Sequence, residues 1–229
     1  MTANRYGNVL TIILITLIIA ILVGVGILGF NYIKTQKQEG KAKEAIDEFD
    51  RGVGQQVIDG DENEEEDESD NKLEVESTDH SQEQTATQKR KKVYTEDGYI
   101  MLGYITIPKT DVKYPILDSV TPESLETAVA ALYPSNAQLN QPGNVVIIGH
   151  NYKNGRFFSN NKKLSVGDKI RIKDNSGTEL TYTIYEKFET TPEDTSFYAR
   201  NTNGAIEITL STCTDDSKAR TIILARVEQ

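Results

Sequence analysis

A run of 22 residues near the amino terminus, residues 9–30, is apolar except for Thr11 and Thr16. At about 1.5 Å per residue a helix of this length spans roughly 33 Å, which is enough to cross a hydrocarbon core of about 30 Å. The run is longer than the core of a signal peptide, and no Ala-x-Ala motif follows it. We therefore predict a single-pass, uncleaved membrane anchor at residues 9–30, preceded by a short amino-terminal segment at residues 1–8.

The basic residues that flank the anchor are Arg5 on its amino-terminal side and Lys34, Lys37, Lys41 and Lys43 on its carboxyl-terminal side. Taken alone, the positive-inside rule would place the longer part of the chain in the cytoplasm. Long downstream domains, however, cross the membrane largely regardless of charge. We predict that residues 1–8 are cytoplasmic and that the domain after the anchor is extracellular.

Residues 31–92 are predicted to form an acidic, flexible stalk, in which residues 34–49 have a helix-forming composition that would continue the anchor for a few turns. The first 92 residues hold 11 of the chain's 25 basic side chains and 18 of its 35 acidic ones, and residues 59–70 are almost entirely acidic. Such a segment cannot bury enough apolar surface to offset the entropy of ordering it. His80 lies in this segment, and we expect it to be solvated and without a role. The net charge of −10 argues against nucleic acid as a partner.

Residues 93–229 carry the patterns of a folded domain. Short stretches of alternating or β-branched residues predict strands at 99–107, 112–117, 144–149, 169–173, 180–188, 206–213 and 220–224. Thr121 and Pro122 predict a helix start, with Ser124 completing the capping box and the helix running to about residue 132. Many short strands separated by frequent turns favour a mostly β domain, either a barrel or a sandwich with mainly antiparallel strands.

Three chemically capable side chains are predicted at the ends of strands. Cys213 is the only cysteine of the chain and ends one strand, and Arg220 begins the next strand after the connection 214–219. His150 follows a third apolar strand. Because neighbouring strands expose their ends at a common edge, we hypothesise that Cys213, His150 and Arg220 meet there and perform acyl transfer.

The chemistry of these residue types supports that hypothesis. A free thiol has a pKa of about 8.5 and becomes nucleophilic when it loses its proton. An imidazole can accept that proton and later return it to a leaving amine, and His150 is the only histidine outside the stalk. A guanidinium such as that of Arg220 can stabilise the negative oxygen of a tetrahedral intermediate.

Structural interpretations of the same residues remain open at this point. A lone cysteine at a strand end also fits a small buried apolar residue, and a histidine or arginine at such a place also fits a solvated loop. One cysteine and one histidine fall short of the ligands that a metal needs. The acidic side chains of Glu189, Glu193 and Asp194 would be able to bind calcium if they gathered, but we favour a solvated acidic loop. We expect neither a metal nor a cofactor.

Three motifs in order make the chain resemble the sortase family. They are residues 103–108, residues 144–151 with His150, and residues 209–213 with Arg220, and the resemblance spans about residues 99–227. Sortases are cysteine transpeptidases of Gram-positive bacteria, and the resemblance implies an eight-stranded β-barrel with one or two short helices, held outside the membrane. Residues 210–213 and 149–155 are most similar to class B, but the connection 187–204 is shorter than class B has, so the subclass stays open.

The resemblance also implies a role for each residue. Cys213 would cleave a sorting signal after Thr and hold the acyl group as a thioester, with His150 as general acid and base and Arg220 as the oxyanion or substrate-positioning donor. The partners would be surface proteins with sorting signals and an amine of a peptidoglycan precursor. The neighbouring residues Ser211, Thr212, Asn151 and Tyr152 are expected to bind substrate.

Two alternatives belong to other functional classes. A cysteine hydrolase would pass the acyl group to water instead of an amine, and a non-catalytic surface module would use the domain only to bind a partner. We further expect residues 188–203, which lead into the Cys213 strand, to form one wall of the groove for the signal peptide.

Overall fold

The computed structural model describes residues 3–58 and 92–228. The chain divides into two compact units, Met1–Lys43 and Glu44–Gln229. The acidic run at residues 59–70 and His80 lie outside the described residues, and so does most of the predicted stalk.

The first helix, α1 (Ala3–Ile58), begins before the apolar run and continues far beyond it. The large apolar side chains between residues 9 and 30 are exposed, as those of a segment that faces lipid would be. Within the described ranges, α1 is long and apolar enough to cross a membrane by its length and composition. The helix also includes residues 31–58, where the sequence had suggested the first part of a flexible stalk.

Residues 45–49 of α1 belong to the second unit and pack within it. Ile46 and Phe49 are fully buried there, in a cluster that also contains Met101 and Tyr104. Phe49 and Tyr104 meet edge to face with ring centroids 5.8 Å apart. Because Ile46 and Phe49 are three residues apart, they share one helix face, and burying that face stabilises the helix. We call residues 44–51 the docking segment.

Asp50 adds polar contacts at the edge of the docking segment. Its carboxylate accepts a hydrogen bond from the Tyr104 hydroxyl at 3.3 Å and pairs with Lys173 Nζ at 2.8 Å. Burial, with the charge of Asp50 as a second cause, raises the pKa of Tyr104 to about 12. The phenol therefore stays protonated and donates to Asp50 at neutral pH.

The second unit is a closed β-barrel. Its strands are β1 (Val93–Tyr94), β2 (Ile100–Ile107), β3 (Val112–Leu117), β4 (Val129–Tyr133), β5 (Gly143–Ile148), β6 (Lys169–Asp174), β7 (Glu179–Thr190), β8 (Ile206–Cys213) and β9 (Arg220–Val227). The order β2-β3-β4-β5-β8-β9-β7-β6 closes on itself because β2 also pairs with β6. The eight-stranded barrel predicted by the resemblance is confirmed, and β1 extends it as a two-residue strand beside β2.

The helix predicted to run from Thr121 to about residue 132 is much shorter. Its start is confirmed, since Thr121 and Ser124 form a reciprocal capping box and Pro122 occupies the first turn. The helix, α2 (Pro122–Leu125), then ends after one turn, and residues 129–133 form β4. The Ala-rich sequence favours helix locally, but these residues are buried between β3 and β5, so strand pairing outweighs the local preference.

The strands that carry the candidate residues are covered on both faces. Val145 and Ile147 alternate along β5 with Val146, and all three are buried. Val146 lies in a separate cluster with Ile222 of β9 and with Phe197 from the connection 191–205. This connection therefore covers the outside of β5 and β9. Burial on both faces explains why residues 145–148 of β5 and 222–225 of β9 are continuous apolar runs, whereas β8 alternates between apolar and polar residues.

Candidate active site

Strand direction brings the three candidate residues to one rim of the barrel. β5 and β8 run parallel, with Ile148 paired to Ser211, so both strands end at the same edge. Cys213 lies two residues further along β8, and His150 lies two residues beyond the end of β5. β9 runs antiparallel to β8 and begins opposite its end, with Cys213 paired to Arg220.

Arg220 contacts the cysteine directly. Its Nη1 donates a hydrogen bond to Cys213 Sγ at 2.7 Å. Cys213 is a free thiol and is neither fully buried nor fully exposed. A guanidinium at this distance stabilises negative charge on the sulfur and can equally donate to an oxygen that develops charge beside it.

Hydrogen bonds fasten the end of β5 to the end of β8. Thr212 Oγ1 donates to the Gly149 carbonyl at 2.7 Å, and Asn151 Nδ2 donates to the Cys213 carbonyl at 2.9 Å. Gly149 fits here because a Cβ would lie 2.8 Å from the Val129 side chain and 2.9 Å from that of Phe158. These contacts hold the backbones on either side of His150 and Cys213 in a fixed relation.

Further contacts link these two strand ends to the connection 214–219, which follows Cys213. Asn151 Nδ2 also donates to Asp215 Oδ1 at 3.0 Å, and Lys162 Nζ pairs with the other oxygen at 2.6 Å. Hydrogen bonds from Lys162 and from Asn151 hold the pKa of Asp215 below its usual range. The carboxylate is therefore ionised at neutral pH and ties three segments together beside the sulfur.

The ring of His150 stacks on the ring of Tyr152. Their centroids are 4.7 Å apart and the planes are inclined by 25°. The Tyr152 hydroxyl donates a hydrogen bond to Glu126 Oε1. Burial, together with Glu126, raises the pKa of Tyr152 well above its ordinary value, so the hydroxyl keeps its proton.

A cleft of about 380 Å³ opens beside the sulfur. Cys213 and Thr212 form part of its lining, together with Phe158, Ala219 and the exposed Glu189 at the end of β7. Burial raises the pKa of Tyr198 in the connection 191–205, whereas the charge of Arg220 acts in the opposite direction.

The residues expected to bind substrate have other contacts in the structure. Thr212 and Ser211 are almost completely buried, Asn151 joins two strand ends, and Tyr152 lies between His150 and Glu126. Their substrate contacts stay a prediction. Four residues near the site were not expected from the sequence, because no sequence pattern links residues of connections so far apart in the chain: Asp215, Lys162, Glu126 and Tyr198. Among residues 3–58 and 92–228, no three metal-ligating side chains gather into a group.

A closed barrel with a cysteine, a histidine and an arginine at one rim defines a class of protein, and comparison with known proteins names it. A family model described as the sortase domain matches residues 105–228. Sortase A of Bacillus anthracis is 34% identical over 122 residues, which make up 52% of this chain and 56% of that protein. The chain belongs to the sortase family. It matches little more than half the length of this curated relative.

Solved structures agree with that assignment. A sortase D5 transpeptidase of Clostridium perfringens is 32% identical with a TM-score of 0.51, over 56% of this chain and 79% of that chain. Sortase A from Corynebacterium diphtheriae is 28% identical with a TM-score of 0.51, over 57% of this chain and 62% of that one. The relatives thus include sortases named A and D. The similarity of this chain's motifs to class B stays a prediction about its subclass.

Proposed function

We propose that this protein is a membrane-anchored cysteine transpeptidase that attaches surface proteins to the cell wall. The observation that carries the proposal is the hydrogen bond of 2.7 Å from Arg220 to Cys213 Sγ, at the rim where β5 delivers His150. Membership of the sortase family supports the same chemistry.

The first step begins with transfer of the Cys213 thiol proton to His150, and the resulting thiolate attacks the carbonyl carbon of a threonine in a sorting signal. A C–S bond forms, and Arg220 donates hydrogen bonds to the oxygen that becomes negative. The C–N bond of the peptide then breaks, and His150 gives a proton to the leaving amine. The products are a thioester on Cys213 and the released carboxyl-terminal segment.

The second step reverses the roles. His150 accepts a proton from an amine of a cell-wall precursor while the amine attacks the thioester carbonyl. A new amide forms, the C–S bond breaks, and the sulfur leaves as a thiolate beside Arg220. One amide replaces another, so the reaction needs no external energy source.

The direct test is to incubate the full-length protein in detergent micelles with a panel of sorting-signal peptides and to measure its intact mass. We expect an acyl adduct that is absent in Cys213→Ala. In His150→Ala, product formation should be lost. If no peptide acylates Cys213 and the thiol resists alkylation in the folded protein, the non-catalytic surface module becomes the better interpretation.

The fate of the acyl group separates transfer from hydrolysis. The same incubation is repeated with and without an added primary amine such as triglycine. A transpeptidase gives the amide product and consumes peptide faster when the amine is present. Hydrolysis alone, at a rate that the amine does not alter, would instead support the cysteine hydrolase.

The proposed orientation places the barrel outside the cell. The exposed apolar side chains of residues 9–30 support an anchor in the membrane. Protease added to intact cells should remove the barrel while residues 1–8 stay protected. Protection of the barrel in intact cells, with digestion after lysis, would reverse this orientation.

A further inference from the structure

The loop after His150 places Tyr152 between the candidate base and an acidic side chain from another part of the chain. One side of the Tyr152 ring stacks on the imidazole with centroids 4.7 Å apart, and its hydroxyl donates to Glu126. Tyr152 thus has a defined partner at each end. Glu126 caps the single turn of α2, far from His150 in sequence.

Arg156 fixes the backbone at Glu126. Arg156 is 7% exposed, and its Nη2 donates to the Glu126 carbonyl at 3.4 Å. The same guanidinium lies over the Phe157 ring, 4.7 Å from its centroid, and Phe157 is fully buried. The end of α2 is therefore tied to the base of the His150 loop, and the carboxylate that accepts the Tyr152 hydrogen bond is supported by that attachment.

An imidazole that acts as acid and base needs a fixed orientation as well as a suitable position. Its ring can rotate about two side-chain bonds, and a ring turned away from the sulfur cannot exchange a proton with it. Stacking restricts the plane of the ring, and a hydrogen bond at the far end of the stacking partner restricts that partner in turn.

We propose that Tyr152 is a positioning residue for His150 and that Glu126 keeps Tyr152 in place. This inference rests on the proposed function, because it assigns His150 as the proton-transfer group. It also gives Tyr152 a different role from substrate binding, since its hydroxyl and one side of its ring are already engaged within the protein.

The kinetic test compares Tyr152→Phe with Tyr152→Leu in the full-length enzyme. The phenylalanine keeps the stacked ring and loses the bond to Glu126, so kcat should fall only modestly. The leucine loses the ring, and misplacement of the base should lower kcat by on the order of 10²-fold. KM for the sorting peptide should change little in either variant. If Tyr152 instead bound substrate, its replacement would raise KM and leave kcat unchanged.

Tyr185 offers a matched control. It is also a partly buried tyrosine, and its hydroxyl donates to Glu207 at 2.8 Å near the opposite end of β8. Tyr185→Phe and Tyr185→Leu remove a comparable hydrogen bond and ring away from His150. They should leave kcat unchanged in whatever fraction of the protein is folded, as measured by circular dichroism.

A spectroscopic test does not depend on catalysis. The chain has two histidines, so labelling at imidazole ¹³Cε1 gives two NMR signals, and His80→Gln identifies that of His150. A stacked tyrosine shifts the His150 proton upfield by its ring current. We expect this shift in the wild type and in Tyr152→Phe, and its loss in Tyr152→Leu, with the His80 signal unchanged.

The two tests separate this inference from the proposed function. Absence of any acyl adduct in the wild type would defeat the proposed function, whereas the ring-current shift would still report whether Tyr152 orients the imidazole. An unchanged His150 signal in Tyr152→Leu would overturn the positioning role. So would an unchanged kcat in Tyr152→Leu when the wild type is active.

Discussion

Arg220 is the side chain that contacts the sulfur of Cys213, and its replacement tests the site at the scale of one residue. Arg220→Ala removes a donor from the place where negative charge develops, so kcat/KM should fall by about 10²–10³-fold. Arg220→Lys keeps the charge but not the planar fork of donors, so it should restore only part of the loss. Initial rates with one sorting peptide measure both effects.

Arg226 lies on the same strand and serves as the control. It is exposed, and its guanidinium stacks over Tyr185 at 5.0 Å. Arg226→Ala should retain wild-type rates. A similar fall in both variants would show that loss of positive charge from β9, rather than the contact with sulfur, is responsible.

Asp215 gives a prediction on pH at the same scale. Its pKa is lowered mainly by the hydrogen bond from Lys162, so the carboxylate bridge forms above the ordinary carboxyl pKa and is lost only as the pH falls through the lowered value. Lys162→Met should therefore raise the pKa of Asp215, so that protonation of the carboxylate disrupts the remaining contact with Asn151 at a higher pH. Side-chain carboxyl ¹³C NMR across an acid titration measures the midpoint.

The adjacent Lys163 is the matched control for this titration. It is exposed in the same short 3-10 helix, Asn161–Lys163, and it is absent from the contacts that lower the pKa of Asp215. Lys163→Met should leave the midpoint in place. Equal shifts in the two variants would mean that general positive charge, and not the bond to Lys162, sets the pKa.

At the scale of elements, residues 188–203 were predicted to wall the peptide groove. In the structure they comprise the end of β7 and most of the connection 191–205, and this connection is expected to determine substrate preference. It packs on β5 and β9 through Phe197, and Asn144 Nδ2 donates to the Phe197 and Tyr198 carbonyls at 3.2 and 2.9 Å. Replacing it with the corresponding segment of another sortase should change which peptides acylate Cys213. Competition between sorting peptides, read by mass spectrometry, measures the change.

The turn 175–178 between β6 and β7 provides a control exchange at the other end of the barrel. β7 reaches the active rim at Thr190, which pairs with Arg220, so the turn before Glu179 lies at the opposite end. Exchange of that turn should leave peptide preference unchanged. If the 191–205 exchange also leaves it unchanged in a folded enzyme, this connection does not wall the peptide groove.

The docking segment should contribute to the stability of the barrel. Phe49 is fully buried against Tyr104, so Phe49→Ala removes a large apolar contact and should lower the free energy of unfolding by about 3–5 kcal/mol. Glu48→Ala, at the exposed neighbouring position, should change it by less than about 0.5 kcal/mol. Denaturant unfolding followed by circular dichroism measures both, and equal stabilities would show that the segment does not support the barrel.

These elements show where local sequence patterns were informative. The capping box at Thr121 and the strands of residues 112–117 and 206–213 were predicted correctly, because their signals lie within a few residues. The length of α2 was not, since the burial that makes residues 129–133 a strand comes from β3 and β5. Packing of the docking segment was also missed, because its apolar residues are few and their partners lie about fifty residues later.

At the scale of the whole molecule, only part of the site could be predicted from the sequence. The strand pattern alone left a barrel or a sandwich open, and closure of the barrel was predicted by the family resemblance. The grouping of Cys213, His150 and Arg220 was inferred from the predicted strand ends, since strand direction decides which ends share a rim. The support of His150 by Tyr152 and Glu126 depends on how two separate loops meet above that rim. Contacts between loops that are far apart in the chain cannot be predicted from hydrophobic periodicity.

Cys213 and Arg220 lie in β8 and β9, His150 lies two residues beyond the end of β5, and these three strands are neighbours in the sheet. Loss of the pairing between β5, β8 and β9 would open the barrel. It would also separate the sulfur of Cys213 from the imidazole of His150 and the guanidinium of Arg220. Heating should therefore give superimposable curves for acylation and for β-sheet ellipticity, without an interval in which a folded enzyme is inert. For this architecture, thermal tolerance of the catalyst and cohesion of the fold are a single property, and selection for either would bring the other with it.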